Sequence, residues 1–329
     1  MRSFHLLAAL LCATPLLAQN FYVPDSSPST GGCNVIPFGQ LPGGAFYQAK
    51  YQTRMTAADL GGAPVVITGL AFSSCNAGRA HYDSLEIVMD HIPASQPLVN
   101  TFASNLTPAA ATVLSSTNYT WNVPANTWYE VGLQTLFVYN GVDDLVIQIT
   151  SANGTAPIQG MRSGSRQRLY WIATSGTPPA SGTLGSTAAL KMEVSMLMAR
   201  TSSHGDGCIG SNGTPTLAFS GSAVVGNTLS FDLTHGVPAG IALFFAGFTN
   251  ATPFPVDLSI LGMPTCYAYT DLTVTAPLFL DPVGAGSFAL PIPPSAVGLL
   301  FYGQFAVLDP AANTFGFTTS NYGRVHTGN

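Results

Sequence analysis

The chain has 329 residues, 10 Lys and Arg against 15 Asp and Glu, a formal net charge of −5, and 8% charged residues where soluble domains carry about 25%. Lys50 and Lys191 are the only lysines, so a phosphate-tracking nucleic-acid surface is excluded, and so weakly charged an exterior limits repulsion between copies. With 34 Gly, 24 Pro and 10% aromatic residues, the composition suits strands and turns.

The chain opens as an export signal over residues 1–18. Arg2 supplies the positive start, residues 6–11 an apolar run, and Leu16-Leu17-Ala18 a small-residue cleavage site before Gln19. Cys12 directly follows that run, within the signal, and leaves with it. No later stretch approaches the roughly 20 apolar residues of a membrane helix, the best being residues 241–248. A secreted or cell-surface location without a membrane span is expected.

Strand signals follow in chain order, after one short helical turn over residues 57–60. The first is residues 65–72. In residues 82–91 a period of two places Leu85, Ile87 and Met89 on one face and Glu86, Val88 and Asp90 on the other. Residues 119–123, 128–133, 145–150, 168–172 and 190–196 read as further strands between turn pairs such as Asn140-Gly141 and Asn153-Gly154. The pattern breaks at the polar stretch 199–207. It resumes with residues 217–219, 228–234, 241–248, 256–260, 266–269, 287–292, 299–308 and 315–318. In residues 299–308 apolar side chains alternate onto both faces, which predicts a central strand covered on both sides.

The fold class expected is therefore all-β: two consecutive jelly-roll-like β-sandwich domains, 19–199 and 208–329, joined by a linker at 200–207. Four cysteines remain after the signal. Of three pairings, Cys33 with Cys75 and Cys208 with Cys266 are chosen, because each then closes a loop within one half of the chain in an oxidising compartment. Closing loops of this size stabilises a fold by roughly 4 kcal/mol at most.

Residues 207–215 (GCIGSNGTP), Phe231-Asp232-Leu233 with the run to Gly240, Val256-Asp257-Leu258, residues 262–266, Gln304, residues 309–313 (DPAAN) and Ser320-Asn321 resemble a C-terminal module of secreted proteins in planctomycete-type bacteria. Residues 32–39 and 128–146 resemble the module that accompanies it. The resemblance spans nearly the whole chain after the signal, implies secretion and a β fold, and carries no reaction with it. More distantly, residues 137–146 are similar to a segment of adhesin-type jelly rolls, F-x-Y-x-G-x-x-N-L, with Asp144 where Asn is usual.

Catalytic signatures are absent from the sequence: no HExxH, GxSxG, P-loop or GxGxxG motif occurs. His81, His91, His204, His235 and His326 are scattered and read as turn or strand-surface residues. Glu86 and Asp90, about 13 Å apart at strand rise, read as solvated charges. Asp143 and Asp144 after a turn are a calcium candidate, the only cofactor considered. Aromatic faces that could stack on sugar rings come from Trp121, Trp128, Tyr170 and Trp171, with Trp121 and Trp128 flanking a presumed hairpin loop. Arg162, Arg166 and Arg168 beside Tyr170 and Trp171 would suit an acidic polysaccharide.

The function expected is a non-enzymatic extracellular or cell-surface role in adhesion, assembly or matrix contact, with self-association into an oligomer or filament. A carbohydrate-binding module is the alternative, and an extracellular hydrolase comes third. Partners are extracellular glycans, copies of the chain, or other surface proteins.

Overall fold

A computed structural model of the protein describes residues 19–39, 48–94, 96–155, 158–162, 166–196 and 198–328. The expected export signal at 1–18 lies outside the described residues. Strands dominate, and the helical pieces among the described residues are single 3-10 turns such as Ala57–Leu60. That turn, expected at 57–60, begins where Thr56 and Asp59 cap each other reciprocally and ends at Gly61 with φ 75°.

Two antiparallel sheets build the N-terminal sandwich. One runs in the order Thr183–Gly185, Arg168–Ala173, Gln48–Met55, Asp144–Thr155, Gly78–Ile92 and Ala111–Val123. The other runs Gln19–Val23, Met192–Met196, Val65–Ser73 and Trp128–Glu130, with Phe137–Tyr139 also paired to Val65–Ser73. Leu85, Ile87 and Met89 from the first sheet meet Ile67, Leu70 and Val194 from the second in a closed core. Chain segments cross repeatedly between the sheets, so residues 122–127 pass from one layer to the other and do not form the expected hairpin. Gln48–Met55, not among the expected strands, places Ala49, Tyr51, Thr53 and Met55 on one face, while on the other the buried Gln52 bonds Gln148, Asn105 and the Phe102 carbonyl.

The C-terminal sandwich pairs the sheet Arg200–His204, Phe317–His326, Leu300–Leu308, Ile241–Gly247 and Val274–Phe279 with the sheet Thr216–Gly221, Thr228–Thr234 and Gly286–Pro291. Phe231, Phe244 and Phe305 fill its centre, with ring centroids 4.7 and 5.3 Å from Phe244. The bridges Cys33–Cys75 and Cys208–Cys266 each lie within one sandwich, with Cα atoms 5.9 and 4.9 Å apart. Residues 256–260 are strand only at Val256–Asp257. The Asp257 carboxylate accepts the Ser259 amide at 2.8 Å and turns the chain into the 3-10 segment Leu258–Leu261.

The segment expected as a linker carries the strand Arg200–His204, whose register runs from Arg200 opposite His326 to His204 opposite Tyr322. Its polar side chains are required by what it faces. Leu300–Leu308 lies third of five in its sheet, with Phe301, Phe305 and Val307 in the module's own core. Tyr302, Tyr322 and Arg324 occupy the opposite face, where the module's own Tyr269 stacks on Tyr322 at 4.9 Å and the N-terminal sandwich covers Arg324. Arg324 is 1% exposed. Its Nη1 meets Glu130 Oε1 at 2.5 Å, its Nε donates to the Leu133 carbonyl at 2.6 Å, and its Nη2 donates to the Thr68 carbonyl at 3.0 Å. Arg200 pairs with Glu193 beside it.

Removing one member of a buried, hydrogen-bonded pair leaves the other charge without compensation, which costs about 3–5 kcal/mol, whereas replacing both by apolar groups is often close to neutral. Arg324→Met should therefore destabilise the chain by that amount in urea unfolding. The double variant Arg324→Met with Glu130→Leu should recover most of the loss. Equal destabilisation in the two proteins would show that the pair does not hold the modules together.

Candidate functional site

The aromatic and arginine residues expected to form a glycan surface are dispersed. Trp121 is 1% exposed, packed edge-on against Phe38 at 5.2 Å, and donates Nε1 to the Glu130 carbonyl at 2.9 Å, so it is a core residue and offers no face to a sugar. Trp128 is half-buried beside Tyr22, 5.5 Å between centroids, and donates to the Ser26 carbonyl at 3.2 Å. Tyr170 and Trp171 are consecutive strand residues and project from opposite faces of their sheet, which removes them as a joint platform.

Nor do the three arginines make a basic patch. Arg166 is paired with Asp59 at 2.5 Å, and Arg168 is buried with its guanidinium 4.5 Å from the centre of the Tyr170 ring. Arg162 ends the strand Gly160–Arg162 against Gly32, and residues 163–165 between these arginines lie outside the described residues.

Asp143 and Asp144 serve different partners. Asp143 accepts from the Asn140 side chain at 2.8 Å inside its turn, while buried Asp144 pairs with Arg54 at 2.9 Å and accepts the Ala57 amide at 3.0 Å. Those oxygens are committed to the fold, and no group of three or more His, Cys, Asp or Glu suited to a metal occurs among the described residues. Asp90 is buried too, and not solvated as expected: it accepts the backbone and hydroxyl protons of Thr107.

What the fold does bring together lies between the modules. His204 and His326, expected on the surface, are 1% and 0% exposed. His204 approaches Tyr119 Oη at 3.3 Å through Nδ1 and Ser202 Oγ at 2.8 Å through Nε2. Since Tyr119 donates its proton to the Val131 carbonyl, the tautomer with hydrogen on Nδ1 satisfies both contacts. Gly132, at φ 78°, is needed here, because a Cβ on it would stand 2.7 Å from His204 Nε2.

Two residues after His204, Asp206 accepts from Arg79 Nε at 3.2 Å and from Thr120 Oγ1 at 2.9 Å, and the Arg79 Nη2 contact makes the ion pair bidentate. The Tyr269 hydroxyl accepts the Asp206 amide at 2.9 Å. Above this pair opens a groove of about 530 Å³, with Asn118 and Asn122 from the N-terminal sandwich and Thr216, Thr265, Tyr267 and Asn321 from the C-terminal one. Thr265 and Asn321 fall in segments that carry the family resemblance, but none of these residues read as a binding residue in the sequence. The available signal was scarcity: Arg79 is an isolated charge in a chain with few, and Asp206 sits in the polar break before Cys208.

The geometry defines a two-module all-β sandwich protein with a locked seam and a polar groove beside it. No family model matches the chain, and neither a curated protein nor a solved structure matches it.

Burial, with the nearby Arg324 charge second, holds the His204 imidazole down to about 3, against 6.5 when exposed. The unfolded chain takes up this proton below 6.5 and the folded chain does not until about 3, so the contribution is complete above 6.5 and is lost as pH falls between those values. Burial shifts His326 in the same direction. Wild-type protein should lose more unfolding free energy than His204→Gln between neutral pH and pH ~4.5. Equal losses in denaturant titrations would remove His204 from the seam's energetics.

Proposed function

We propose that the chain is a non-enzymatic extracellular or cell-surface protein that works by contact, in adhesion, assembly or matrix attachment. The observation that carries this reading is the uneven distribution of exposed apolar surface. Among the described residues, thirteen of the seventeen large apolar side chains that stand exposed lie beyond residue 207. Several fall in one row. Phe279, 79% exposed, is opposite Ile241, and Leu308 is opposite Phe317 in the same sheet, with exposed Phe315 beside Phe317.

This row lies on the sheet face that carries Tyr302 and Arg324, beyond the part the N-terminal module covers. A face already engaged at one end and apolar at the other favours a further protein contact, and a second copy of this chain is the occupant its own low charge permits. The two disulfides are compatible with an extracellular location, and no helix among the described residues is long and apolar enough to cross a membrane.

Sedimentation and electron microscopy of wild-type protein should show concentration-dependent assemblies. Phe279→Ser combined with Ile241→Thr should shift them to monomer with unchanged circular dichroism. A wild-type protein that stays monomeric at high concentration would remove self-assembly.

Carbohydrate binding is the second reading, favoured by Trp128 and Trp171, each half-buried and so partly open to a ligand. Retention on insoluble polysaccharide should then fall about tenfold or more in Trp128→Ala or Trp171→Ala. Unchanged retention in both would clear these two tryptophans of the role.

A further inference from the structure

We infer that the groove between the modules is a binding site for a neutral oligosaccharide, with Asn118, Asn122, Tyr267 and the Arg79–Asp206 pair as its recognition elements. This rests on the carbohydrate-binding reading and moves its site away from the tryptophans.

The chemistry of the groove selects the ligand class. Its single ion pair is internally neutralised, because Arg79 engages both oxygens of Asp206, and the other lining side chains are amides, hydroxyls and a phenol. An acidic polysaccharide would need uncompensated cations, which this groove does not offer, whereas sugar hydroxyls both donate and accept, as amides and hydroxyls do. Arg79 uses Nε and Nη2 on Asp206, and the Asn118 and Asn122 side chains make no hydrogen bond to another described residue. These are the donors and acceptors left over for a ligand. Tyr267, half-buried with its ring centroid 6.1 Å from that of Tyr269, supplies an apolar face at the wall. A volume of about 530 Å³ falls within the range of small-molecule sites, about 300–1,000 Å³.

Backbone strain is an independent pointer to the same place. Asn118 at φ 55°, Thr265 at φ 63° and Gly205 at φ 73° all line the groove. Thr265 is the only β-branched residue with positive φ among the described residues, a conformation that crowds such a side chain against its own backbone. Asn118 falls where the ladder skips from Tyr82 opposite Tyr119 to Ser84 opposite Thr117. Strain of this kind persists where surrounding structure enforces it, and it concentrates at ligand sites. The enforcing structure is visible: Thr265 precedes Cys266 and Gly207 precedes Cys208, so the second disulfide ties two groove segments together.

The test titrates the intact secreted chain with cellohexaose, mannohexaose and laminarihexaose by calorimetry, with polygalacturonate as an anionic comparison. At least one neutral hexaose should bind. Asn118→Ala and Tyr267→Phe or Tyr267→Ala, each checked for unchanged melting temperature, should weaken that binding about tenfold or more, with the Ala change at 267 the more severe. Trp128→Ala should leave it unchanged. Neutral binding that survives both groove substitutions and fails in Trp128→Ala would overturn the groove while leaving carbohydrate binding intact. Tighter binding of polygalacturonate than of every neutral probe would overturn the ligand class. Absence of binding to all four probes would overturn both the groove and the carbohydrate reading.

Discussion

The Arg324 to Glu130 contact sets the architecture, because it is the point at which two independently cored sandwiches become one object. A guanidinium that is 1% exposed retains almost none of its hydration, and the loss is offset only by a complete set of acceptors. Each of the three Arg324 nitrogens has an acceptor, one carboxylate and two backbone carbonyls, all from the N-terminal module. Backbone carbonyls sit at fixed places in a sheet. The fork of Arg324 therefore fixes orientation as well as distance, which a flexible ammonium would not do. Hydrophobic packing alone would tolerate sliding between the modules. An ionic fork bonded to two strands does not.

Two consequences follow from a seam held in one register. The polar groove has one wall from each module, so its shape persists only if their relation is constant, and Asp206 in its floor is positioned by Arg79 and Thr120 from the N-terminal side and by Tyr269 from the C-terminal side. The same seam divides the outer face of the C-terminal sheet into a covered part around Tyr302 and Tyr322 and an open apolar part around Ile241 and Phe279. A sheet face with one buried and one solvated half would normally read as ordinary alternation with a polar outer row. Here the outer row is apolar to its end.

Much of the strand pattern was legible because burial imposes a period on the sequence. Thr228–Thr234 and the core face of residues 82–91 follow directly from it. The two bridges were legible from loop closure within each half. What escaped was polar and non-local. Gln48–Met55 is central yet lined by Gln52 and Thr53, whose partners at 148 and 167 lie far along the chain. Arg200–His204 read as linker because its charges look solvated until Glu193 and the N-terminal sheet are placed beside them. Trp121 and Trp128 looked equivalent in the sequence, yet a layer crossing between them sends one to the core and leaves the other half-buried.

Scarcity of charge changes what each charge means. The chain has three glutamates, Glu86, Glu130 and Glu193, and two of them lie within the seam against Arg324 and Arg200. One of its two lysines, Lys191, is also buried, held by Asp25 and by the Ser27 and Thr30 carbonyls. In a chain of average composition most charges serve solubility, and the few buried ones are hidden among them. Here the ionic side chains are spent largely on fixing segments in place, and the surface is left to amides, hydroxyls and apolar groups. Such a surface interacts by shape, hydrogen bonding and apolar contact, with little dependence on salt.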